Sequence, residues 1–312
     1  MHAFLRNLPR VAAFPLLFGG AGIVAWTAYS ADAVTWLMPL LIVSVLVLTV
    51  GLERVIPYAQ QWNRGPGTAE DLVYLGTTSA FVSVAEGAVW ALALGLLPLF
   101  GFGLDASASP WPDAWPVLGQ VFLALAIGDA LPYLYHRASH ESAGFLWRVH
   151  AIHHAPERLH ALNFARFHPL NAFLTAALTL LPLALFGAPP PILFTAAVLH
   201  NVHGVVSHAN VDFRLGPLNA VFSMAELHRW HHARDPRLAT GNYGATLLLW
   251  DWIFGTRRNP GHGVADDGVG LWHGSSVPPR LAAQWRYPFS GTGQQFVRRV
   301  SILLNTPCCR RA

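Results

Sequence analysis

Residues 33–51, AVTWLMPLLIVSVLVLTVG, hold no charged side chain in 19 positions. About 20 such residues are needed for a helix to cross the hydrocarbon layer, so this run predicts a membrane span. Further apolar runs flank it: Phe14–Tyr29 before, then Leu75–Phe100 with Glu86 inside, and Trp115–Tyr135 with Asp129 inside. A shorter pair, Ala172–Gly187 and Ile192–Val205, surrounds Pro189-Pro190-Pro191 and predicts a shallow or tilted hairpin. Arg6 and Arg10 precede the first run like the start of a signal peptide. No small-residue cleavage site follows and the second run begins at once, so a retained helix is expected.

Composition agrees. Of 312 residues 53% are apolar and only 12% charged, with mean hydropathy +0.38, against about 25% charged in soluble domains. The net charge of +4 and pI of 9.4 do not indicate nucleic acid. All 20 basic residues are Arg, scattered between apolar runs rather than gathered in a stripe with interleaved aromatics. Their placement orients the chain instead. Arg6 and Arg10, Arg54 and Arg64, Arg137 to Arg166, and Arg214 onward fall in alternate loops, while loops 30–32, 101–114 and 187–191 have none. The positive-inside rule puts every Arg-bearing loop, and both termini, in the cytoplasm. The expected fold is all-α and integral to the membrane, with four to six embedded helices and a cytoplasmic histidine-rich cap holding two metals. Three regions are expected: N-terminal helices over 1–115, a catalytic region over 116–256, and a cytoplasmic tail over 257–312.

Histidine is the anomaly, at 16 residues. His136-Arg-Ala-Ser-His140 spaces two imidazoles at i and i+4, on one helix face. His150-Ala-Ile-His153-His154 and His228-Arg-Trp-His231-His232 each space three at i, i+3 and i+4, within an arc of about 100° that predicts convergence on one ion. A lone histidine is usually structural, and that reading holds for His2, His160, His262 and His273. It fails for a triplet repeated at identical spacing. Eight imidazoles exceed the four of structural zinc or the three of catalytic zinc, and predict two ions with four or five each. His208 is a ninth candidate. Asp129, His168, His203, Asn210 and Asp251 are candidate partners for ligand N–H groups, and Glu226 stands close to His228. Cys308 and Cys309 adjoin each other and suggest neither a disulfide framework nor a thiolate site.

The ordered set Asp129…Tyr133…His136-Arg137…His140, His150…His153-His154, His208-x-Asn210, His228-Arg229-x-His231-His232, Asn242-Tyr243-Gly244 and Trp250-Asp251…Phe254-Gly255-Thr256 resembles the fatty acid hydroxylase/sterol desaturase superfamily, over about residues 120–256. The resemblance implies a membrane di-iron oxygenase that hydroxylates a lipid C–H bond with O2. It gives His136, His140, His150, His153, His154, His208, His228, His231 and His232 the ligand role. Some relatives carry a further histidine where this chain has Gly204; His203 or water would then complete the set. No cytochrome b5-like segment stands in these residues, so electrons are expected from a separate ferredoxin-, rubredoxin- or cytochrome-type protein. The substrate is expected to enter from the bilayer through a slot between helices, for whose lining Trp147, Phe164, Phe167 and Trp230 are candidates, with core packing the commoner role for each; if the host is bacterial, the membrane is the inner one. A lipid desaturase with the same two irons and a non-enzymatic metal-binding or transport protein are the alternatives. A zinc hydrolase is disfavoured, because no His-Glu-x-x-His exists.

Overall fold

The computed structural model describes residues 2–30, 32–65, 67–96, 109–141, 144–272 and 276–290, with side chains 2–6, 35 and 96 left aside. His273, Cys308, Cys309 and the His2 side chain lie outside the described set. Six long helices carry the apolar runs: α1 (His2–Thr27), α2 (Val34–Val55), α3 (Thr68–Leu96), α4 (Val117–Glu141), α6 (Pro169–Leu185) and α7 (Pro190–Ser207). Four of them, α1 to α4, are long and apolar enough to cross a membrane, and α6 is a shorter apolar helix. Among the described residues no β-strand forms, only isolated bridges such as Phe222↔Leu247. The outward faces carry Leu16, Val47, Val84 and Leu118, each at least 60% exposed. A ring of bare aliphatic side chains is what a hydrocarbon solvent covers, and water would not.

Short helices build the cap: α5 (Phe145–His154), α8 (Ala225–His231), α9 (Pro236–Ala239), α10 (Leu249–Phe254) and α11 (Leu281–Arg286). Helix α6 packs on α3 and α4, while α7 packs on α1, α2 and α4. A cavity of about 230 Å³ opens between these two groups, with α4 contributing to both. Residues 258–272 and 276–290 do not trail away. Gln284 accepts a hydrogen bond from Tyr74 of α3 at 2.6 Å, and Trp272 stacks on Trp147 of α5 at 4.5 Å.

The cap also reaches down between the helices. Phe222 packs on Phe14 and Phe18 of α1 at 5.4 and 5.2 Å, and Trp250 donates its indole N–H to the Ala126 carbonyl of α4. Non-helical backbone at that depth needs partners for its N–H groups. Asp129 supplies them, accepting from the Thr246 and Leu247 amides at 2.9 and 2.7 Å. Asp129, a candidate partner for a ligand imidazole by sequence, thus holds the backbone of a returning segment.

Candidate metal centre

Four elements bring the histidines together. The last turns of α4 carry His136 and His140, α5 carries His150, His153 and His154, the end of α7 presents His208, and α8 with its C-cap presents His228, His231 and His232. All but His136 are buried. The ring nitrogens form two groups: His136, His140, His150, His154 and His231, and then His153, His208, His228 and His232, each with its ligand atoms within 4.8 Å of one another. The groups adjoin, His154 stacking on His232 at 4.3 Å.

Each triplet is therefore divided, where the spacing predicted convergence. His150 and His154 serve the group of five and His153 the group of four; His228 and His232 serve the group of four and His231 the group of five. The i and i+4 rings lie one above the other, while i+3 is rotated about 60° away in projection, enough to reach across. Each of the two helices thus spans both groups.

The nitrogens fit metal cations. Nδ1 donates to a carbonyl oxygen in His136 (Tyr243, 2.8 Å), His153 (Arg166, 3.3 Å), His208 (Gly204, 2.8 Å) and His231 (Gly241, 2.9 Å), and to the side-chain oxygen of Asn171 in His150 (3.1 Å). With the proton on Nδ1, Nε2 carries a bare lone pair. Those Nε2 atoms point inward. His136 and His231 Nε2 are buried with no hydrogen-bond partner, and Nε2–Nε2 separations of 3.0–3.1 Å link His150 to His154, His153 to His208 and His208 to His228. Burial and neighbouring imidazoles push His150, His153, His154, His228, His231 and His232 well below the usual imidazole range. Lone pairs facing one another in a dry pocket repel, unless a cation accepts them.

The other candidates sit further out. Asp251 accepts from the Tyr243 and Gly244 amides and from Thr256 Oγ1, so it fixes the loop whose Tyr243 carbonyl holds His136. A Cβ at Gly244 would run into the Leu247 carbonyl and Asp251 Oδ2, which explains glycine there. Asn210 clasps the Ala59 backbone in both directions at 2.9 Å. His168 caps α6 through Leu170 and reaches the Trp285 carbonyl. His203 lies against Phe14, Phe18 and Phe222. None of the three joins either group of ring nitrogens. Glu226 holds Asn219 and the Leu215 amide. His160 pairs with Asp71, and His262 packs on Trp230. Of the expected slot, Phe164 and Phe167 line the cavity, whereas Trp147 stacks on Trp272 and Trp230 packs in a separate cluster with Trp62 and Leu159. Sequence reasoning missed Asn171, which had no histidine-like signal, and the carbonyls of Gly241 and Arg166, which no side chain announces.

A profile described as "Fatty acid hydroxylase" matches residues 121–256, the stretch holding all nine histidines of the two groups. An ornithine lipid hydroxylase of Rhizobium tropici is 33% identical over 87% of this chain and 81% of its own length. The chain belongs to the fatty acid hydroxylase family. An alkylglycerol monooxygenase of Caenorhabditis elegans is 33% identical over 47% of this chain but only 28% of its own length. A very-long-chain aldehyde decarbonylase of Oryza sativa is 30% identical over 52% of this chain and 61% of its own. No solved structure matches. Membership in this family makes the chain a metal-dependent oxidoreductase of the membrane, and the two histidine groups are able to hold metal ions.

Proposed function

We propose that this protein is a di-iron enzyme that hydroxylates a C–H bond of a membrane lipid, using O2 and electrons from a separate ferredoxin-, rubredoxin- or cytochrome-type donor. The observation that carries the reading is the junction of two imidazole groups with one apolar cavity. His136 and His150 of the first group and His153, His208 and His228 of the second line that cavity. Its walls continue along Ala172, Ala176 and Leu183 of α6 and Leu193 and Ala196 of α7, into the span region. A methylene chain lying there would touch both metal positions at once. A relative that matches 87% of this chain is named for ornithine lipid, so a polar membrane lipid of that kind is the substrate we favour.

When bound, paired iron would supply O2 activation and the oxidising power to attack an unactivated C–H bond. The chain's own part is geometric. Nine neutral imidazoles would hold the ions without adding negative charge. Asn171 and the Tyr243, Gly241, Gly204 and Arg166 carbonyls lock five rings in one tautomer. Phe167 stacks flat on His153 at 4.3 Å, and with Phe164 it keeps water from the second group. The placement of Arg supports a cytoplasmic site, and a bacterial host would put the enzyme in its inner membrane.

Purified protein should hold about two irons per chain by elemental analysis, and 18O2 should label a lipid product with one added oxygen. Desaturation would instead give a product two hydrogens lighter. Activity that survives both His153→Ala and His231→Ala would overturn the proposal.

A further inference from the structure

The segment from Tyr243 to Thr256 has the mixed polarity of a loop in its sequence, yet its contacts are with the spans. Thr246 and Leu247 donate to Asp129, and Leu248 pairs with Val221. Trp250 reaches the Ala126 carbonyl, and Phe254 stacks on Tyr133 at 5.3 Å. Ala126 lies ten residues before His136 in α4, which is ~15 Å along the axis. Helix α10 therefore lies beside α4 between Ala126 and Tyr133, within the half of that membrane-spanning helix that leads to the histidines. Its inner edge is satisfied by these contacts, and its outer face is bare: Trp252, Ile253 and Phe254 are 55%, 58% and 45% exposed, next to Val221 at 42%. Four large apolar side chains at that level, flanked by Arg257 over Trp252 at 4.6 Å and Arg137 over Phe254 at 5.9 Å, have the order of a membrane interface: apolar below, aromatic and Arg at the boundary.

We infer that residues 243–256 form a re-entrant element whose outer face is covered by the acyl chains of one leaflet, so that the partner of this surface is the lipid tail region itself. The same segment lines the cavity on its inner side through Tyr243, Gly244 and Ala245, and holds His136 through the Tyr243 carbonyl. One short stretch of backbone thus separates bulk lipid from the metal centre. The inference needs only the membrane-spanning character of α4 and stands whether or not the substrate is an ornithine-type lipid.

The test is depth measurement on the full chain in phosphatidylcholine vesicles. With Cys308→Ser and Cys309→Ser as background, single cysteines at Ile253→Cys and Val221→Cys carry a nitroxide label. Val84→Cys on the exposed face of α3 and Asp267→Cys on the cap are the references. Collision with O2, which concentrates in hydrocarbon, is compared with collision with a water-soluble nickel chelate. The O2-to-nickel ratio at Ile253 and Val221 is expected to match that of Val84 and to exceed that of Asp267 several-fold. Ratios at both positions equal to that of Asp267 would overturn the inference. Unchanged metal content in each labelled protein shows that the fold is intact, a readout independent of turnover.

Discussion

His153 and His231 are the two rings that cross between groups, and their loss should be unequal. Removing His231 leaves four imidazoles around its position, and removing His153 leaves three. Four neutral nitrogens still make a closed shell for a divalent ion, whereas three leave it labile. We expect His153→Ala to purify with about one metal per chain and His231→Ala with closer to two, as elemental analysis would read; equal depletion would contradict the division of the triplets. Asp251 acts one step behind. Its carboxylate takes two backbone N–H groups and the Thr256 hydroxyl. An asparagine side chain has only one acceptor oxygen to offer, so Asp251→Asn should cost about 1–3 kcal/mol, seen as a lower thermal midpoint with the metal content largely kept. The histidines were legible in the sequence because their spacing repeats. The role of Asp251 was not, because Tyr243 and Gly244 turn back onto it through a loop that no periodicity encodes.

At the scale of elements, the cavity lies between α6, which packs on α3, and α7, which packs on α1 and α2, with α4 bordering both. Ala197 of α7 and Thr179 of α6 both line it. Ala197→Trp would put an indole into a space of about 230 Å³. The expected result is a strongly raised KM for long-chain lipid with both metals retained, and an unaltered KM would mean that the chain binds elsewhere. Asp129 tests the returning segment. Asp129→Leu strands the Thr246 and Leu247 amides beside a span, where an unsatisfied group costs several kcal/mol. That variant should fail to fold in the membrane, measured as loss of monodisperse protein, while Asp129→Asn should be recovered at reduced yield. The six long helices were readable from apolar run length, although α1 and α3 begin at His2 and Thr68, well before their apolar runs do. Turns that stand outside the hydrocarbon carry no such signal. The descent of residues 216–224 and 244–256 between α1 and α4 was not readable, because its sequence has the mixed polarity of a loop and its acceptor, Asp129, looks from sequence like a ligand's partner.

Across the whole molecule, the histidine centre makes stability depend on pH in one direction. Six imidazoles of α5 and α8 are held well below their ordinary value by burial and by one another. In the unfolded chain the same groups titrate near 6.5. Below that pH the unfolded state binds protons that the folded state refuses, so stability is fully present above about pH 6.5 and falls as pH drops toward the folded values. Each such histidine contributes a slope of up to about 1.4 kcal/mol per pH unit across that window. Metal needs the same neutral nitrogens, so protons compete with it and loading extends the stable range downward. The metal-free protein should therefore lose thermal stability steeply between pH 7 and 5, with the loaded protein shifted to lower pH, and acid should release metal before the helices melt. A flat profile for the metal-free chain, followed by differential scanning fluorimetry, would show that the rings are solvated and that the packed centre does not form without its ions. The outcome also separates two halves of the design. Helices α1 to α3 carry no member of the two histidine groups and present apolar faces that pH does not alter, whereas the end of α4 and the cap meet at nine imidazoles and the carbonyls that orient them.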